Sequence, residues 1–154
     1  MMRLIRKTLL AVLLTFVIIQ FIRPARNRSG QASAADFTKV YQVPVDVQSV
    51  LQKACYDCHS NNTRYPWYTN IQPMGWMMAR HIKKGKEQLN FNEFGSYTGR
   101  RRISKLKGIA NQIRDGDMPL WSYKIMHKQG RLSDSQKKLV IEWINKTADS
   151  LLAD

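Results

Sequence analysis

Cys55-Tyr56-Asp57-Cys58-His59 brings the only two cysteines of the chain within three residues of each other and sets a histidine directly after the second. Two thiols at that spacing can each add to one vinyl group of a single haem, and the adjoining imidazole then falls beneath the iron as an axial ligand. Three other chemistries use similar residues. A structural disulfide leaves His59 without a role. A thioredoxin-like redox pair belongs at the start of a helix after a strand, in an α/β pattern that this chain lacks. A structural zinc site needs four ligands, and there is no second Cys or His pair. The motif therefore points to haem c, with Cys55 and Cys58 as the covalent attachment points and His59 on the iron.

The opposite face of the iron needs a second protein ligand, solvent or a small molecule. Met118 is the first candidate, because Gly116-Asp117-Met118-Pro119 places it in a loop between a helix-stopping glycine and a proline that favours extended chain. His127 and His81 are the alternatives, and a His/His pair would lower the reduction potential relative to Met/His. Met74, Met77 and Met78 lie at helical spacing and read as core. Tyr65, Pro66, Trp67 and Tyr68, with Trp76 and Trp121, supply flat apolar surface suited to lining a haem crevice. A backbone carbonyl near Pro66 or Pro73 is placed to accept the second ring N–H of His59.

Helices must position these groups, since strand signals are sparse. Asp46 can cap a helix with Val47, Val50, Leu51 and Ala54 on one face, which delivers the chain into Cys55. A second helix is expected from about Pro73 to Lys84, with Gly85 just past its end. A third runs from about Arg101 to Arg114 and stops at Gly116, its apolar face being Ile103, Leu106, Ile109, Ala110 and Ile113. The last opens on a Ser133-Asp134-Ser135-Gln136 capping box and carries Leu139, Val140, Trp143, Ile144 and Ala148. The expected fold is all-α, about four helices joined by long loops.

The 154 residues leave room for one domain plus an N-terminal extra. Arg3, Arg6 and Lys7 precede an apolar run from Thr8 to Ile22, which reads as an export signal retained as a single-pass membrane helix over residues 1–22. The one small-residue pattern, Ala32-Ser33-Ala34, lies too far downstream to favour cleavage, which would leave a soluble periplasmic domain. Residues 23–35 are polar and aperiodic, as in a linker that lifts a domain off a membrane, and the folded domain spans residues 36–154. Arg23, Arg26 and Arg28 balance the first three basic residues, so loop charge does not set an orientation. The formal net charge of +14 invites acidic partners or anionic headgroups. No nucleic-acid motif accompanies it, and Arg100, Arg101 and Arg102 read as a solvated helix start.

Taken together the residues resemble the small haem-binding domain of bacterial c-type cytochromes. The resemblance opens on Cys55-Tyr56-Asp57-Cys58-His59-Ser60-Asn61 and Tyr65-Pro66-Trp67-Tyr68. It continues through His81-Ile82-Lys83-Lys84-Gly85-Lys86, Leu89-Asn90-Phe91, Gly116-Asp117-Met118-Pro119-Leu120 and Leu132-Ser133, covering nearly all of residues 36–150. It implies a cytochrome c-like fold, with N- and C-terminal helices crossing near the haem and a Met-Pro loop on the distal side. It also implies haem attachment outside the cytoplasmic membrane, hence a domain facing the periplasm from the inner membrane with its basic N-terminus inside.

The functional expectation is a mono-haem electron-transfer protein, not an enzyme, exchanging single electrons with a redox partner protein. An acidic partner would suit Lys53, Lys83, Lys84 and Lys86. The competing expectation is a haem-based sensor or ligand-binding module whose distal position is vacant or labile.

Overall fold

Spacing of apolar residues by three and four dominates the computed structural model, which describes residues 1–29 and 33–153; no strand forms among the described residues. The protein is all-α, as expected. The four expected domain helices are present as α3 (Val45–Ala54), α5 (Met74–Gln88), α6 (Gly99–Asp115) and α8 (Asp134–Ala153). The loops between them hold short helices α2 (Phe37–Val40), α4 (Tyr56–His59) and α7 (Trp121–Met126), together with 3-10 turns at Trp67–Asn70, Phe91–Ser96 and Lys128–Gly130.

Burial follows the apolar stripes. Leu106, Ile109, Ala110 and Ile113 of α6 meet Val140, Ile144 and Ala148 of α8, and Val47, Val50 and Leu51 of α3 complete the core. Phe37 sits at its centre, edge-on to Phe91 at 5.2 Å and to Phe94 at 4.9 Å between ring centroids. Because α3 packs against α8 and runs straight into Cys55, the core fixes where the cysteine motif begins.

Helix ends differ from expectation in instructive ways. Asp46 is not the cap; α3 starts two residues earlier than expected, at Val45 behind Pro44, and the Asp46 carboxylate accepts the Val47 N–H at 2.8 Å inside the first turn. The Ser133–Gln136 capping box forms in both directions, at 3.2 and 3.0 Å. Gly116 ends α6 with φ +80°, the left-handed geometry that only glycine adopts without cost. Arg102 is structural rather than solvated, donating to the carbonyls of Tyr97 and Gly95 and tying the start of α6 to the preceding turn.

The N-terminal expectation needs correcting twice. Helix α1 (Met2–Ile19) contains Arg3, Arg6 and Lys7 within its own first turns, which leaves residues 8–19 as its uncharged part, against the roughly 20 apolar residues that a span requires. No helix among the described residues is long and apolar enough to cross a membrane. Nor do the residues after it behave as a free linker. The Gln20 side chain accepts the Gln72 N–H at 2.8 Å and donates to the Gln72 carbonyl at 3.3 Å, and the Ile22 carbonyl accepts from the Trp76 indole at 2.8 Å. Asn27 then donates to the Ser60 carbonyl and Thr63 Oγ1, accepts from Lys86 Nζ, and gives its backbone N–H to Tyr65 Oη. Residues 20–29 are thus built into the domain. Residues 30–32, including the first alanine of Ala32-Ser33-Ala34, and residue 154 lie outside the described residues.

Candidate functional site

Cys55 caps the end of α3, and Cys58 and His59 complete the single turn of α4 that follows it. The turn rests on the core: Tyr56 stacks on Phe91 at 4.8 Å, and the His59 imidazole meets the same ring edge-on at 6.4 Å. On the other side it is pressed against α5 at Gly85, where a Cβ would lie 2.7 Å from the Cys58 carbonyl oxygen and 3.3 Å from Cys58 Cβ. That approach explains why Gly85 is not the helix terminator expected of it. It lies inside α5, which continues to Gln88, and its missing side chain is the space the cysteine turn occupies.

Both thiols are free. Burial, with a smaller push from Cys58, raises the Cys55 thiol to about 12, and burial with the neighbouring Asp57 raises Cys58 to about 11. Burial thus keeps both thiols protonated at neutral pH. His59 Nδ1 lies 3.0 Å from the Leu89 carbonyl. A carbonyl only accepts, so Nδ1 carries the hydrogen and Nε2 presents the lone pair, the tautomer an iron ligand needs. The accepting carbonyl is therefore that of Leu89, not one near Pro66 or Pro73. Burial lowers the pKa of His59 despite opposing hydrogen bonds to the backbone of Leu89 and Gly85, so the ring stays neutral. Among the described residues no three His, Cys, Asp or Glu side chains converge as a metal site, which leaves a zinc reading without ligands.

Asp57, between the cysteines, organises the surroundings and was invisible as such in the sequence. Its carboxylate is buried and accepts from Tyr123 Oη at 2.8 Å, and from Arg64 Nε and the Arg64 N–H at 3.3 Å each. Tyr123, on α7, also reaches the Lys53 carbonyl, so α7 is strapped to both flanks of the motif. Burial and then the Asp57 carboxylate raise the pKa of Tyr123, with Cys58 adding to the effect. Gly130 makes room for this ring, since a Cβ there would come 2.5 Å from Tyr123. His127 stacks on Tyr123 at 4.2 Å, and its Nε2 lies 2.6 Å from Tyr68 Oη.

The other expected residues divide into groups. Met118 is half-buried in the loop between α6 and α7, its N–H held by the Gln112 carbonyl at 3.1 Å. His81 is half-buried on α5, and His127 is engaged with Tyr68 and Tyr123. Of the methionines expected in the core, Met78 is buried, Met74 half-buried and Met77 exposed. Tyr65 is used by the N-terminal segment, carrying Arg26 over its ring at 4.3 Å, with Pro66 half-buried next to it. Trp67 is 74% and Trp121 71% exposed, and Trp76 is turned towards residue 22. Trp67 and Tyr68 on one turn, and Trp121, Ile125 and Met126 on α7, are joined by the Tyr68–His127 bond beside the cysteine turn. Such a group of bare aromatic and aliphatic side chains fits a flat apolar cofactor better than solvent. The soft thiols, the oriented imidazole and this surface fit a haem.

A family model described as a haem-binding domain matches residues 14–146. No curated protein and no solved structure matches the chain.

Proposed function

Since the chain belongs to the haem-binding domain family, we propose that it is a mono-haem c-type cytochrome that passes single electrons between protein partners and transforms no substrate. The observation that carries this reading is the pairing of two free thiols with a histidine whose Nδ1 is committed to the Leu89 carbonyl. Each cysteine can add its S–H across one vinyl group with no leaving group, while His59 offers Nε2 to the iron. Bound there, haem supplies a one-electron iron couple. The chain's own part is to hold that group: Phe91 and Gly85 seat the turn, Leu89 orients the imidazole, and the aromatic residues near Tyr68 and α7 exclude water. Met118 is the proposed distal ligand. The attachment chemistry and the basic, apolar N-terminus support a position on the periplasmic side of the inner membrane.

An optical redox titration tests this. The expected result is one reversible one-electron wave, with a low-spin ferric spectrum whose weak far-red band disappears in Met118→Ala. A high-spin ferric spectrum in the unaltered protein would instead identify a ligand-binding module, and an unchanged Met118→Ala spectrum would remove Met118 from the iron.

A further inference from the structure

The junction between α1 and the domain is rigid where a tether would be loose, and its surroundings have an unusual composition. Gln20 is bonded to Gln72 in both directions, and the Trp76 indole is fixed to the Ile22 carbonyl. Around these bonds five large apolar side chains stay open to solvent: Phe21 at 82%, Ile22 at 59%, Ile71 at 42%, Met77 at 41% and Trp76 at 36% exposure. They continue into α1, where residues 1–18 are all exposed. Immediately beyond them come Arg23, Arg26 and Arg28, all exposed and facing no carboxylate in an ion pair among the described residues. A groove of about 400 Å³ beside Arg26 is walled by Lys83 and Lys86 against the single carboxylate of Glu87.

We propose that this face seats the folded domain on an anionic lipid bilayer, so that the haem-bearing part is held in one orientation instead of swinging on a linker. Apolar side chains bordered by arginines match the acyl boundary and the phosphate layer in that order, and a tryptophan with its N–H satisfied within the protein is suited to the boundary itself. An acidic protein would answer the arginines but leave the apolar residues and α1 uncovered, so charge and apolarity together favour lipid. The inference is independent of how the iron is ligated.

The test uses the full-length holoprotein with vesicles of phosphatidylcholine alone or mixed with phosphatidylglycerol, at low and high salt. Phosphatidylglycerol should strengthen binding in a salt-sensitive manner. Arg23→Gln and Arg28→Gln should each weaken binding to the anionic vesicles about fivefold and leave binding to neutral ones unchanged. Brominated acyl chains should quench tryptophan emission in the bound protein, and Trp76→Phe should remove most of that quenching. The proposal is overturned if lipid charge has no effect, if quenching survives Trp76→Phe undiminished, or if the protein prefers soluble polyglutamate to anionic vesicles. Haem absorbance in the same samples reports on the cofactor site separately.

Discussion

Burial governs the chemistry of individual residues in the cysteine turn. With Cys55 at about 12 and Cys58 at about 11, the thiolate share at neutral pH is far below that of an ordinary cysteine. Alkylation of the folded, haem-free chain at about pH 8 should run at least about a hundredfold slower than in urea, and equal rates would contradict the buried turn. Asp57→Ala should cost about 0.5–1.5 kcal/mol in urea denaturation, because the Tyr123 hydroxyl keeps only its longer contact to the Lys53 carbonyl and the Arg64 N–H loses its acceptor. The reach of this carboxylate could not be read from the sequence. The two cysteines and the histidine declare themselves by spacing alone, whereas Asp57 acquires its role from a tyrosine 66 positions away. Leu89 is the same kind of case: nothing local connects its carbonyl to His59.

At the scale of elements, glycine separates what the sequence predicts from what packing decides. Gly85 and Gly108 both lie inside helices, and both should gain from alanine on propensity alone. Gly85→Ala drives a Cβ into the Cys58 carbonyl and should cost about 1–3 kcal/mol while lowering haem incorporation, whereas Gly108→Ala meets nothing within 4 Å and should stabilise α6 by about 0.5–1 kcal/mol. Thermal melts of the two variants should move in opposite directions. The helices themselves were legible because each buries one stripe, and the α8 capping box and the Gly116 stop are written in local residues. The end of α5 was misread because a glycine that admits a neighbouring turn looks the same in sequence as a glycine that ends a helix. Trp76 shows the same limit: an aromatic residue signals apolar area, and only the structure shows that its indole serves the N-terminal segment.

Across the whole molecule, charge and protonation set the measurable behaviour. Burial lowers the pKa of both His59 and His127, so each binds its proton less readily folded than unfolded. The stability this gives to the haem-free chain is complete above about pH 6.5, the unfolded value, and is lost as pH falls below it towards the folded values. Denaturation midpoints should therefore drop between about pH 7.5 and 5.5, and His127→Gln should shrink the drop. Lys86 is tied to Asn27, which leaves Lys53, Lys83 and Lys84 exposed for steering an acidic redox partner. Electron-transfer rates with such a partner should fall as salt rises, and flat rates would remove steering from the account. The electron-transfer reading rests on a porphyrin bonded to the polypeptide through two sulfur atoms. The most direct test is the mass of the protein produced in cells able to mature c-type cytochromes, taken after acid-acetone extraction. The account predicts the chain plus one haem in a coloured pellet; a colourless pellet with the mass of the bare chain would contradict it.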